Sequence, residues 1–197
     1  MSFFIFVPGG KRSKEDWDQV RAELAKEGQS SRAITLSDPE SSDLSQHIAQ
    51  VLRMIEDSAE AKVILVGHSY GSYVITGAAA KAPEKIVRLV YVDAAIPQSG
   101  QSLLDMFHMV GVDEKKYGVP SWPPFNERLL FDQSFISRLP KTYVHCLRSQ
   151  FLDMTRSIPA YVKARAGREH WDYFELDADH YCMLDHAQEL ADILLSH

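Results

Sequence analysis

The chain has 197 residues, 45% of them hydrophobic, with 21 Lys and Arg against 27 Asp and Glu for a net charge of −6. That length supports one sizeable core, so a single domain over residues 1–197 is expected. A negative balance with scattered cations argues against nucleic acid or an anionic membrane surface as a partner, and no apolar run reaches the length of a membrane span.

Phe3 to Val7 is a continuous apolar run ending on Pro8-Gly9-Gly10. No basic segment or small-residue cleavage site accompanies it, so it reads as a strand buried on both faces rather than a leader. The following diglycine leaves the backbone bare for a close approach. Ser13 to Glu27 carries Trp17, Val20 and Leu24 at helical spacing, with Ser13 as cap and Gly28 as stop. Ser31 to Leu36 reads as a second strand. Asp43 to Ser58 places Leu44, Ile48, Val51, Leu52 and Ile55 on one helical face. Val63 to Val66 is the next strand, Ser72 to Ala80 the next helix, and Ile86 to Val92 another buried strand that delivers Asp93 at its tip. Strand and helix alternate with short connections, the signature of a parallel sheet with helices on both faces.

The alternation breaks between Ala94 and Pro140. This stretch holds Pro97, Pro120, Pro123, Pro124 and Pro140 among loose aromatics, Phe107, Tyr117, Trp122, Phe125, Phe131 and Phe135. It reads as a lid inserted at about 97–140 over the edge of the sheet, with one short helix at Leu103 to Val110. The pattern then resumes: a strand at Thr142 to Leu147, a helix at Ile158 to Ala166, a strand at Trp171 to Leu176 and a closing helix at Ala187 to Leu195. Two cysteines, Cys146 and Cys182, are too few for a disulfide framework; they read as buried thiols in a cytoplasmic protein.

The chemistry centres on VILVGHSYGSYV, Val63 to Val74. A buried strand runs into Gly67-His68-Ser69-Tyr70-Gly71 and a helix leaves it, the context required of a G-x-S-x-G nucleophile elbow. Ser69 is therefore the expected nucleophile. Its hydroxyl needs a base, and His180, in the loop between the last strand and the last helix, lies at the same end of the sheet. The acid should leave a strand tip between them. Asp93 does so directly and is favoured over Asp153, which lies farther along its loop. Against this stands the reading of Asp93 as a turn-stabilising side chain. Asp179 is expected to point away from His180. The oxyanion donors are expected to be Tyr70 N–H and Gly10 N–H, with Lys11 N–H in reserve. Asp179, His180, Cys182, Asp185 and His186 are dense in metal-ligand types but show no metal-binding spacing, so no metal or cofactor is expected.

Together, FFIFVPGG, Trp17, VILVGHSYGSYV, LVYVDAAIP and LDADHYCMLDHAQELADIL resemble the α/β-hydrolase superfamily. In detail the chain is similar to the branch of small cofactor-free esterases that includes plant methylesterases, hydroxynitrile lyases and their bacterial relatives. The resemblance implies an open, mostly parallel sheet of about six strands, a Ser-His-Asp triad and hydrolysis of a small-molecule ester through an acyl-enzyme. Three departures stand out. The usual His-Gly after the first strand is Pro8-Gly9, the lid is short, and the acid commonly found after the penultimate strand is replaced by Ser149. The last favours Asp93, because some bacterial relatives look alike in keeping only the strand-tip aspartate. A lyase using the same three residues, with Lys115, Lys116 or Arg128 receiving cyanide, and a non-catalytic ligand-binding member of the fold are the competing expectations. The sequence carries no signal of oligomeric state.

Overall fold

The computed structural model describes residues 3–166 and 168–196. Six parallel strands form one open sheet in the order β2-β1-β3-β4-β5-β6, with β1 Phe3–Val7, β2 Ser30–Ala33, β3 Val63–His68, β4 Ile86–Val92, β5 Lys141–Cys146 and β6 Trp171–Leu176. Alternation along β1 shows why the run is apolar throughout. Ile5 and Val7 enter one core while Phe4 and Phe6 enter the other.

The two faces are covered by different helices. On one lie α2 Leu44–Asp57 and α3 Gly71–Lys81, whose Ile48, Val51, Val74 and Ile75 pack with Leu65 and Tyr91. Helix α2 starts as its sequence demands: Asp43 accepts from Gln46 N–H at 2.7 Å, and Gln46 returns the bond to Asp43 N–H at 2.9 Å. On the other face α1 Asp18–Lys26 supplies Val20 and Leu24. The 3-10 turn Lys14–Trp17 that precedes it buries Trp17, and Ser13 makes no side-chain cap there. The single helix expected from Ser13 is thus split, because its first turn is tightened to bring the indole onto Phe6. The second strand is also shorter than expected. Ile34 N–H still bonds Phe6 C=O at 3.1 Å, after which the chain leaves the sheet edge.

Between β4 and β5 lie α4 Leu103–Met109, a 3-10 turn Glu114–Tyr117, α5 Pro123–Asn126 and α6 Gln133–Arg138. A two-residue bridge, Gly100 N–H to Leu129 C=O at 2.8 Å and Leu129 N–H to Gln101 C=O at 3.1 Å, clips the two ends of the segment together. The segment sits over the carboxyl ends of the strands, where Leu103, Phe107 and Phe125 share a cavity with Ser69, rather than along a sheet edge. Its aromatics need an apolar surface, and the strand tips provide one.

The chain closes with α7 Leu152–Thr155, α8 Ile158–Arg165, α9 Cys182–Asp185 and α10 Ala187–Leu195. Helix α10 lies beside α1. No helix among the described residues is long and apolar enough to cross a membrane. After β2 the chain returns to the far side of β1 to form β3, so a crevice opens at the carboxyl ends of β1 and β3. Gly9-Gly10 and Ser69 are the residues that edge it.

Candidate active site

Ser69 follows β3 directly in a left-handed backbone conformation, φ 52°, with its N–H bonded to Val92 C=O at 3.2 Å. Its glycine neighbours are there for close approach. A Cβ on Gly67 would come 2.7 Å from Gly71 C=O, and one on Gly71 would come 2.7 and 2.8 Å from the carbonyls of Val7 and Pro8. The elbow is thereby pressed against the loop that leaves β1, and any side chain at either position would force the two apart. Lys11 at φ 59° and Asp93 at φ 41° are left-handed as well, and like Ser69 both line the crevice. Such conformations cost about 1–3 kcal/mol each, and of the four such non-glycine residues among those described, only Ala59 lies away from this cavity.

Asp93 leaves β4 at 1% exposure, and its N–H is tied to Val144 C=O at 2.8 Å. Its carboxylate bonds no local N–H group, so it is no turn-stabilising aspartate. Oδ2 accepts from His180 Nδ1–H at 2.6 Å and from Ser149 O–H at 2.5 Å, and Oδ1 from Cys146 N–H at 3.4 Å. His180, 3% exposed, is clasped by the Phe151 and His68 rings, each with its centroid 4.4 Å away. His68 Nε2–H also donates to His180 C=O at 2.8 Å, linking the elbow to the histidine loop. Burial, and then the neighbouring His180, push the His68 pKa well below the ordinary value, so that ring stays neutral.

Bonding of Nδ1 to Asp93 leaves His180 Nε2 for the cavity, whose wall it shares with Ser69. Neither Ser69 Oγ nor His180 Nε2 has a hydrogen-bond partner among the described residues, the two atoms not being directly bonded to each other. The cavity has a volume of about 320 Å³. Leu103, Phe107, Phe125, Phe151 and Met154 make its apolar wall, and Gly9, Gly10 and Tyr70 edge its polar floor. The N–H groups of Gly10 and Tyr70 donate to no partner among the described residues. The Tyr70 side chain is anchored away from the floor: its O–H meets His47 Nδ1 at 2.9 Å, while His47 Nε2–H reaches Ser37 C=O at 3.0 Å. Burial raises the Tyr70 pKa well above its usual value and lowers that of His47, so this pair is neutral.

Ser69, His180, Asp93, Gly10 and Tyr70 thus come together. Asp153 does not join them. Half-buried on α7, it bonds Tyr117 O–H at 2.8 Å, Lys116 at 3.1 Å and Arg156 at 3.2 Å. Asp179 turns to cap Tyr181 N–H at 2.8 Å. Lys115, Lys116 and Arg128 are exposed, and none lines the cavity. Lys116 pairs with Asp153 and Arg128 with Asp105. The cations that do line it are Arg12, doubly paired with Asp16 at 2.6 and 2.7 Å, and Lys11, whose Nζ lies 3.9 Å from the Trp122 ring centre. Cys146 and Cys182 are buried free thiols, and the bond from Cys182 together with burial pushes the Cys146 pKa up. No group of three metal-ligating side chains is found among the described residues.

Sequence reading gave no role to Ser149, to His68 beyond its place in the elbow, or to Phe151. Ser149 carried the one available signal, a hydroxyl at the position where the family resemblance leads one to expect an acid. The contacts of His68 and Phe151 had none, because their partner lies 112 positions along the chain from His68.

One segment is 52% identical over 61 residues, 31% of this chain and 25% of the other, to the carbendazim hydrolyzing esterase of Nocardioides sp. (strain SG-4G). The putative methylesterase 11, chloroplastic, of Arabidopsis thaliana is 32% identical over 115 residues, 54% of this chain and 30% of its own. The chain therefore spans about a quarter to a third of the length of these curated relatives. Among solved structures, an extracellular alpha/beta-hydrolase from a Paenibacillus species superposes with a TM-score of 0.78 at 20% identity, covering 99% of this chain and 98% of that one. The model of the alpha/beta hydrolase family matches residues 4–172, and the chain belongs to that family.

Proposed function

We propose that this protein is a serine hydrolase that cleaves small, largely apolar esters through an acyl-enzyme. The observation that carries the reading is the 2.6 Å bond from His180 Nδ1–H to a buried Asp93, at the wall of the cavity that Ser69 enters in a left-handed conformation. His180 Nε2 takes the Ser69 proton as Oγ attacks the ester carbonyl carbon. Asp93 holds the ring in the tautomer that leaves Nε2 able to accept, and stabilises the imidazolium. The N–H groups of Gly10 and Tyr70 receive the charge that develops on the carbonyl oxygen. As the intermediate collapses, His180 returns the proton to the departing alcohol. A water then attacks the acyl carbon, losing its proton to His180; the acid leaves and Ser69 regains its hydrogen.

The apolar wall of the cavity favours a substrate with a hydrocarbon acyl or alcohol part, and relatives that are named esterases favour the ester bond. Labelling with a fluorophosphonate probe tests the nucleophile. Ser69 is expected to carry the adduct in the parent, and Ser69→Ala to abolish both labelling and turnover of p-nitrophenyl esters. An unlabelled, folded parent would sink the reading and leave a ligand-binding member of the fold. Cyanide release from mandelonitrile without ester turnover would instead assign a lyase.

A further inference from the structure

Asp93 accepts two hydrogen bonds at the same oxygen, one from His180 and one from Ser149, and the second has no place in the chemistry described above. Ser149 is 3% exposed. Its Oγ receives Phe151 N–H at 3.0 Å, which occupies a lone pair and leaves the hydroxyl hydrogen to point at Asp93 Oδ2. On the other carboxylate oxygen the donor is Cys146 N–H at 3.4 Å, a long bond that restrains rotation poorly. Without Ser149 the carboxylate would be oriented mainly by the histidine it is meant to orient. The same hydroxyl also fixes the backbone of Phe151, whose ring lies against His180.

We infer that Ser149 is a positioning residue for the acid: by donating to Asp93 Oδ2 and accepting from Phe151 N–H, its hydroxyl sets the carboxylate plane and the aromatic wall that together aim His180 Nε2 at Ser69. The inference rests on the proposed hydrolase reading for its effect on rate, but its structural content stands on the three bonds alone. A shared Oδ2 divides its acceptor strength between two donors. Removal of Ser149 O–H shifts that strength to His180, tightening one bond while freeing the carboxylate to turn.

The test uses the full chain with Ser149→Ala, the near-isosteric weak donor Ser149→Cys, and Ser149→Thr, which keeps a hydroxyl. Two readouts are taken: kcat and KM for p-nitrophenyl acetate, and the downfield proton resonance of His180 Nδ1–H, assigned by its loss in His180→Asn. Ser149→Ala and Ser149→Cys are expected to lower kcat roughly ten-fold with little change in KM, as loss of one charge-assisted bond allows. Both should move the resonance farther downfield, while Ser149→Thr keeps the parent values. A kcat within two-fold of the parent in Ser149→Cys, or a fallen kcat with an unmoved resonance, overturns the inference. If Ser149→Ala does not fold, Ser149→Cys decides. Full activity in Ser69→Ala would mark failure of the hydrolase reading instead, and the resonance would still judge Ser149.

Discussion

The strand tips and the segment over them are held in opposite ways. At the tips, the Asp93 carboxylate is fixed by one backbone and two side-chain donors 53, 56 and 87 positions away, and His68 binds a carbonyl 112 positions away. Over them, the short helices of the segment from Ala94 to Pro140 start on local caps, while a few long-range bonds, such as Ser45 O–H to Glu127 and Tyr117 O–H to Asp153, tie the segment to the rest of the fold. Ser102 caps its own helix through Asp105, Asp113 bonds Lys115 N–H, and Asp132 bonds Ser134 N–H. The first arrangement is rigid because many distant elements must move before one group can. The second is a row of short, locally capped helices with exposed apolar side chains such as Leu130 at 78%. Such a division lets the cavity wall vary while Asp93 and His180 stay in register.

The comparison is broken most directly at its rigid end. Asp93→Asn is expected to lower kcat about 10⁴-fold, since an amide cannot hold the histidine in the needed tautomer. Asp153→Asn should stay within a few-fold of the parent in kcat, and steady-state kinetics of the two side by side would reverse the assignment if the losses were exchanged. Next in size is Gly71→Ala. Its methyl group would meet two backbone carbonyls that have no room to yield, and a loss of roughly 1–3 kcal/mol in denaturant unfolding is expected. Stability matching the parent would show that the elbow and the β1 loop are not in forced contact.

A pH experiment probes the same rigid region. His68 and His47 are held neutral by burial, so their folded pKa values lie below the unfolded value of about 6.5. Between those values the unfolded chain binds protons that the folded one does not, and stability rises with pH there. Stability contributed by this neutrality is present above about pH 6.5 and is lost as pH falls below it. Unfolding free energies measured from pH 7.5 to 5 should decline, and less steeply in His68→Asn. An unchanged slope in that variant would remove His68 from the account.

The smallest effect belongs to the locally held region. Ser102→Ala removes one half of a capping box and should cost about 1 kcal/mol. Helix α4 carries Leu103 and Phe107 into the cavity, so KM should rise modestly while kcat holds. A fall in kcat equal to that of Ser149→Ala would erase the distinction between the two regions.

Much of this could be read before any coordinates. Val63 to Val66 followed by Gly-x-Ser-x-Gly is a local steric statement, and β4 and β6 lie where their apolar runs placed them, at Ile86–Val92 and Trp171–Leu176. Short elements escaped. The four-residue helices α5, α7 and α9 are too brief for a periodic pattern, and α1 was read as starting early because Trp17 fits either helical geometry.

By itself the sequence determined the alternation of strands and helices, the bend at Ser69, and the three residue types from which a triad could be assembled, because sterics and hydrophobic periodicity act over a few neighbouring positions. The sequence also placed Asp93 ahead of Asp153 and its strand beside that of Ser69; what tertiary structure alone decided is which groups surround the carboxylate, with β4 lying between β3 and β5. That neighbourhood brings Asp93 within reach of Ser149 and His180 and leaves Asp153 to bind Tyr117 and Lys116. It is a choice made by strand order, which no run of adjacent residues encodes.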